Sequence, residues 1–165
     1  METMFTKNGT AFDSLEAMNV QIVASALNPT IQKLAKKLEG LPEMNQLYTI
    51  FKTAYDLAYF EGDNDKKNTV RDAVRLIQDK KANCVDYSVF IGAFLLLLDI
   101  PFKLRMVSES DPDKWTHVYI KTMNGITLDA VLGQDQNGGE FRSRQGRKPM
   151  FNTEVPFKYK YDLDL

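Results

Sequence analysis

The sequence predicts an α+β fold: a helical N-terminal half whose central, cysteine-bearing helix packs on an antiparallel β-sheet. Three observations predict it. Apolar residues recur at helical spacing as far as Leu98. After Pro101 the period changes to alternation, the mark of half-buried strands. An Asn124-Gly125 pair then separates two alternating runs, a strong hairpin signal.

Residues 1–10 carry no periodic pattern and read as a loose tail. Phe12, Leu15, Met18, Val20, Ile22, Val23 and Leu27 form the stripe of a first helix, with Asp13 as its cap. Asn28-Pro29 ends that helix and opens the next, Asn as cap and Pro in the first turn. Ile31, Leu34, Ala35 and Leu38 are its inner face, and Gly40 stops it. Pro42 begins a third helix reaching about Phe60, with Leu47, Ile50, Phe51, Ala54, Leu57 and Ala58 inward.

Residues 61–67 form a solvated turn, after which Asn68 or Thr69 caps a short helix carrying Val70, Val74, Leu76 and Ile77. Asn83 then caps the helix that Cys84 opens. That helix is apolar almost all round from Val85 to Leu98, so it is expected to be buried on most sides, and Asp99-Ile100-Pro101 terminates it. Phe102–Val107, Trp115–Thr122 and Ile126–Val131 are the predicted strands, the last two paired as a hairpin. Residues 133–150 read as an exposed loop whose basic residues, Arg142, Arg144, Arg147 and Lys148, are solvated, and Val155–Tyr161 as an edge strand.

Length and composition bound the function. The chain has 165 residues, one domain by length and enough to bury a core; it is 44% hydrophobic and 26% charged, with a formal net charge of -1. That balance gives no basis for a nucleic-acid or membrane-surface partner. One cysteine excludes an internal disulfide, and one cysteine with one histidine cannot supply the usual nitrogen and sulfur ligands of zinc. No metal and no cofactor is expected. The N-terminus has no basic cap followed by an apolar stretch, and the run Val89–Leu98 is too short to span a bilayer. A cytoplasmic or virion-associated protein without signal peptide or transmembrane segment is the expectation.

The single cysteine and the single histidine carry the chemistry. Cys84 stands at a predicted helix start, where partial positive charge favours the thiolate, the reactive form of a thiol. His117 lies in a strand-like run downstream, and the Asn124-Gly125 turn can fold the strand of Asp129 back beside it. A carboxylate on one imidazole nitrogen leaves the other to face the sulfur, the logic of nucleophile, base and orienting group. The backbone N–H of Cys84 is the natural first oxyanion donor. Trp115 is a candidate substrate-groove residue. Asp86 reads as an acid favoured by the helix dipole.

The order of these residues resembles the transglutaminase-like superfamily of papain-like cysteine enzymes. The resemblance rests on Cys84-Val85-Asp86-Tyr87, Asp99-Ile100-Pro101-Phe102-Lys103, His117-Val118-Tyr119 and Leu128-Asp129-Ala130, and the domain core it covers is about 45–132. The single domain 1–165 then has a helical N-terminal extension, 1–40, and a C-terminal loop and strand, 133–165. Two positions depart from the pattern: Ala82 stands where a glycine precedes the cysteine, and Asp99 where the pattern has Gly-Ile-Pro.

The resemblance implies Cys84 as nucleophile, His117 as general base and acid, and Asp129 as its partner. Gln78, six positions before Cys84, matches the papain-like glutamine as an oxyanion candidate. The implied reaction is acyl transfer through a thioester, as a hydrolase or an acyl transferase acting on a peptide or amide bond of a peptide or protein substrate. Small free-standing members of this kind are common in bacteria and their phages. The alternative is a catalytically silent interaction or virion structural module that keeps the fold, with the N-terminal helices meeting a protein partner.

Overall fold

The computed structural model describes residues 11–60, 71–111, 114–131 and 150–165. The tail 1–10, the turn 61–67 and nearly all of the loop 133–150 lie outside these residues, as do Asn68, Thr69 and Val70. The described residues contain five helices, α1 (Ala11–Ala26), α2 (Pro29–Lys36), α3 (Glu43–Leu57), α4 (Ala73–Asp79) and α5 (Cys84–Leu97). Strands β1 (Tyr59–Phe60) and β2 (Lys81–Ala82) make a short parallel pair. Strands β3 (Phe102–Ser108), β4 (His117–Thr122), β5 (Thr127–Leu128) and β6 (Tyr159–Asp164) form an antiparallel sheet in the order β5-β4-β3-β6. The architecture is α+β, as the change of period predicts.

Helix α5 is the axis of the molecule. Every residue from Cys84 to Leu95 is buried, which explains why the helix has no polar face. One face meets the sheet, where Phe102, Leu104 and Met106 of β3 and Val118 and Ile120 of β4 are all buried. The other face meets α1. At Gly92 the approach is so close that a Cβ would stand 2.8 Å from Ile22 Cδ1. The Tyr87 hydroxyl donates to the Ala58 carbonyl at 2.8 Å, fixing α5 to the end of α3.

Helix α5 ends in a Schellman motif. The Ile100 N–H donates to the Leu95 carbonyl and the Asp99 N–H to that of Leu96, with Asp99 in the left-handed region at φ 56. Position 99 therefore demands a left-handed residue, and aspartate tolerates there the conformation that glycine adopts freely.

Several boundaries differ from expectation. On α1 the buried stripe is Leu15, Met18, Ile22 and Ala26, whereas Phe12, Val20, Val23 and Leu27 are exposed. Asp13 lies inside the first turn of α1 rather than at a cap. Helix α4 begins at Ala73 and is capped by Asp72, which accepts from the Arg75 N–H. Helix α3 stops at Leu57, because Tyr59 and Phe60 pair with Lys81 and Ala82.

The β4–β5 hairpin turns through Met123, Asn124 and Gly125, and only Gly125 has positive φ, so it is a three-residue loop rather than a two-residue one. Strand β5 ends at Leu128, and the chain turns helical at residues 130–131. The edge strand begins at Tyr159; residues 150–158 instead cross the sheet face that looks away from α5.

Candidate active site

The site begins with the cap of α5. Asn83 Oδ1 accepts the Asp86 N–H at 2.9 Å, and Asp86 Oδ2 accepts the Asn83 N–H at 3.1 Å, a reciprocal capping box that fixes the backbone on both sides of Cys84. Asp86 is completely buried and also accepts from the Arg71 N–H at 2.7 Å and Arg71 Nη1 at 3.0 Å. Burial pushes the Asp86 carboxyl up, against those hydrogen bonds, which pull it down. Cys84 occupies the first position of the helix with 2% of its surface exposed.

His117 is the first residue of β4. Strand alternation gives it the same face as Tyr119 and Lys121, opposite the core pair Val118 and Ile120. Its Nε2 lies 2.6 Å from Asp129 Oδ2, while Asp129 Oδ1 accepts the Val131 N–H at 3.1 Å, so both carboxylate oxygens are engaged. Cys84 meets the same imidazole through a side-chain hydrogen bond. Because Nε2 is taken by Asp129, Nδ1 is the nitrogen left for the sulfur. Burial alone would lower the imidazole's pKa, but Asp129 and Cys84 outweigh it and hold His117 well above the usual histidine range. Cys84, His117 and Asp129 are thus brought together from the start of α5, the start of β4 and the residue after β5.

The other two sequence candidates lie differently. Gln78 is on the last turn of α4, exposed, and its side chain makes no hydrogen bond among the described residues. Trp115, two residues before His117, is half-buried against the core and meets Tyr161 edge-on at 6.3 Å. No cluster of three or more His, Cys, Asp or Glu among the described residues is placed to hold a metal ion.

Sequence reasoning missed a polar network beside the histidine. Glu154 accepts from Arg105 Nη1 at 2.9 Å, from the Tyr119 hydroxyl at 2.5 Å and from Lys121 Nζ at 2.5 Å. Arg105 also makes a two-pronged pair with Asp162, at 2.8 and 3.0 Å. Burial works to raise the Glu154 carboxyl, and the hydrogen bonds from Lys121, Tyr119 and Arg105 overcome it, bringing its pKa to about 2.

A depressed carboxylate contributes stability above its unfolded pKa, and the contribution is lost as pH falls through the folded value. Glu154→Gln is therefore expected to be less stable than the parent at neutral pH, the gap closing between pH 4.5 and about 2. Urea midpoints across that range test this; a gap independent of pH would contradict it.

No protein-family model matches the sequence, and no curated protein matches it significantly. Solved structures do. Calcium-bound LapG of Legionella pneumophila aligns over 82% of this chain and 81% of its own, with 14% identity and a TM-score of 0.51. A second LapG structure aligns over 85% and 84%, with 17% identity and a TM-score of 0.51. A candidate protease from Parabacteroides distasonis aligns over 66% of this chain but 23% of its own, with 14% identity and a TM-score of 0.54. These neighbours have transglutaminase-like, papain-like cysteine protease folds.

The chain has the transglutaminase-like fold. Its α1 is part of the body of that fold here, since it packs along α5, although the sequence resemblance stops short of it. No helix among the described residues is long and apolar enough to cross a membrane.

Proposed function

We propose that this transglutaminase-like protein is a cysteine hydrolase that cleaves a peptide or amide bond. One observation supports the reading: the His117 imidazole pairs with Asp129 through Nε2 and interacts with the side chain of Cys84, the first residue of α5. In the proposed reaction the Cys84 thiolate adds to the acyl carbon, and the oxyanion forms beside the helix N-terminus, with the backbone N–H of Cys84 as one donor and Gln78 as the candidate for another. His117 gives its proton to the leaving amine, which departs and leaves a thioester. It then takes a proton from water, whose oxygen attacks the thioester and releases the acid and the thiolate. Asp129 keeps the ring oriented and stabilises the imidazolium through both steps.

Water rather than an amine is proposed as the acceptor, because the four-stranded sheet and five helices of the described residues offer little material to enclose a channel that excludes water. The second reading, a silent interaction module, draws its support from the 2% exposure of Cys84, which leaves the sulfur little open surface. A peptide library incubated with the protein and with Cys84→Ala, with and without a labelled primary amine, separates the readings. Cys84-dependent cleavage is the expected outcome. Amine incorporation into a glutamine-containing protein would make the protein an acyl transferase, and no Cys84-dependent product at all would favour the silent module.

A further inference from the structure

The imidazole of His117 packs against two aromatic rings that the triad chemistry does not use. Tyr119 lies at 5.7 Å between centroids with the planes 31° apart, and Phe157 at 6.1 Å and 37°. Both distances fall in the range of favourable ring contacts. Tyr119 is a neighbour along the same strand, but Phe157 arrives from residues 150–158, and its placement has separate supports.

The segment is tied down along its length. Phe151 packs on Tyr48 and Phe51 of α3 at 5.4 and 5.7 Å. Asn152 Oδ1 accepts the Thr127 N–H at 3.0 Å. Glu154 is held by Arg105, Tyr119 and Lys121, and from Tyr159 the chain is paired with β3. Phe151 belongs with the hydrophobic core, whereas Phe157 does not; it is half-buried, and among the described residues its ring contact is with His117. An aromatic side chain outside the core, at the far end of an anchored segment and against the one histidine, is placed for orientation rather than for bulk packing.

We propose that Phe157, held in place by the Glu154 anchor, is a positioning residue for His117: its ring fixes the plane in which Asp129 and Cys84 meet the two imidazole nitrogens. This deepens the reading of Cys84 as a nucleophile activated by His117 and rests on it. Tyr119 packs on the imidazole, Asp129 and Cys84 interact with it, and Glu154 accepts from the Tyr119 hydroxyl.

With one cysteine and one histidine in the chain, iodoacetamide alkylation reports on the pair without assignment. The readout is the ratio of alkylation rates at about pH 6 and about pH 9, because a site merely opened to reagent raises both rates together, whereas a misplaced imidazole lowers the rate at acid pH selectively. Phe157→Ala is expected to lower the ratio roughly three- to tenfold, in the direction of His117→Ala, and Phe157→Tyr to retain the parent ratio.

Glu154→Gln, which loosens the segment without touching the ring, is expected to shift the ratio the same way by about half as much on a logarithmic scale. Where Phe157→Ala does not fold, Phe157→Leu, which keeps an apolar side chain without the ring, decides in its place, with Glu154→Gln as support. A ratio that moves in His117→Ala but in neither Phe157→Ala nor Glu154→Gln would overturn the positioning role and leave the nucleophile reading intact. A ratio unmoved in His117→Ala would overturn both.

Discussion

Alkylation of Cys84 by iodoacetamide near pH 6 is expected to slow by about ten- to a hundredfold in His117→Ala, with the two proteins converging near pH 9. The thiolate is the species that reacts, and the fold sets an imidazole and a helix N-terminus against the same sulfur. Removing the ring removes the group placed to take up the thiol proton.

The same substitution has a second signature. A histidine raised in the folded state contributes stability that is complete below its unfolded pKa of about 6.5 and is lost as pH rises through the folded value. The parent's urea midpoint should therefore fall as pH climbs above 6.5 while that of His117→Ala stays flatter. Equal alkylation profiles would remove the main support for catalysis, whatever the stability curves show.

The second large effect is on folding. Asp86→Ala is expected to cost about 3 kcal/mol of unfolding free energy, near the lower end for breaking a buried charged pair, because Arg71 retains partial access to water. The substitution strips Arg71 of the carboxylate that accepts from both its main chain and its guanidinium, and strips Asn83 of the return bond in the capping box. Asp86→Asn keeps the shape and some of the hydrogen bonds and should cost about half as much. Chemical denaturation measures both. A loss below about 1 kcal/mol for alanine would show that the cluster does not hold the helix start.

The site is more legible in the sequence than its surroundings. Cys84, His117 and Asp129 stand out because the first two are the only residues of their kind, Cys84 falls at a predicted helix start, and His117 and Asp129 lie in two predicted strands that the Asn124-Gly125 turn pairs. The Asn83 cap is readable because its partner, Asp86, is only three residues away. Partnerships between distant segments are not readable: Arg71 with Asp86, or Glu154 with Arg105, Tyr119 and Lys121, leave no periodic trace in the chain.

Helix α1 is ambiguous for a different reason. Two of its faces are apolar, so spacing alone identifies a helix without saying which face turns inward. Asn68, Thr69 and Asp72 are all competent caps, and only the position of Ala73, whose N–H donates to Ser25 Oγ at 3.0 Å, fixes Asp72 as the start of α4.

The contact between Gly92 and Ile22 bears on modularity. The sequence resemblance begins near residue 45, which invites treating everything before it as an appendage that evolution or an experimenter could exchange. Yet the helix that Cys84 opens has no polar face, and α1 lies over the side turned away from the sheet. Any lineage that replaced this N-terminal helix would have to supply another partner able to come equally near, or repaint that side of the cysteine helix in polar residues. Shuffling at residue 45 would thus cut through the hydrophobic interior, not along a seam between units.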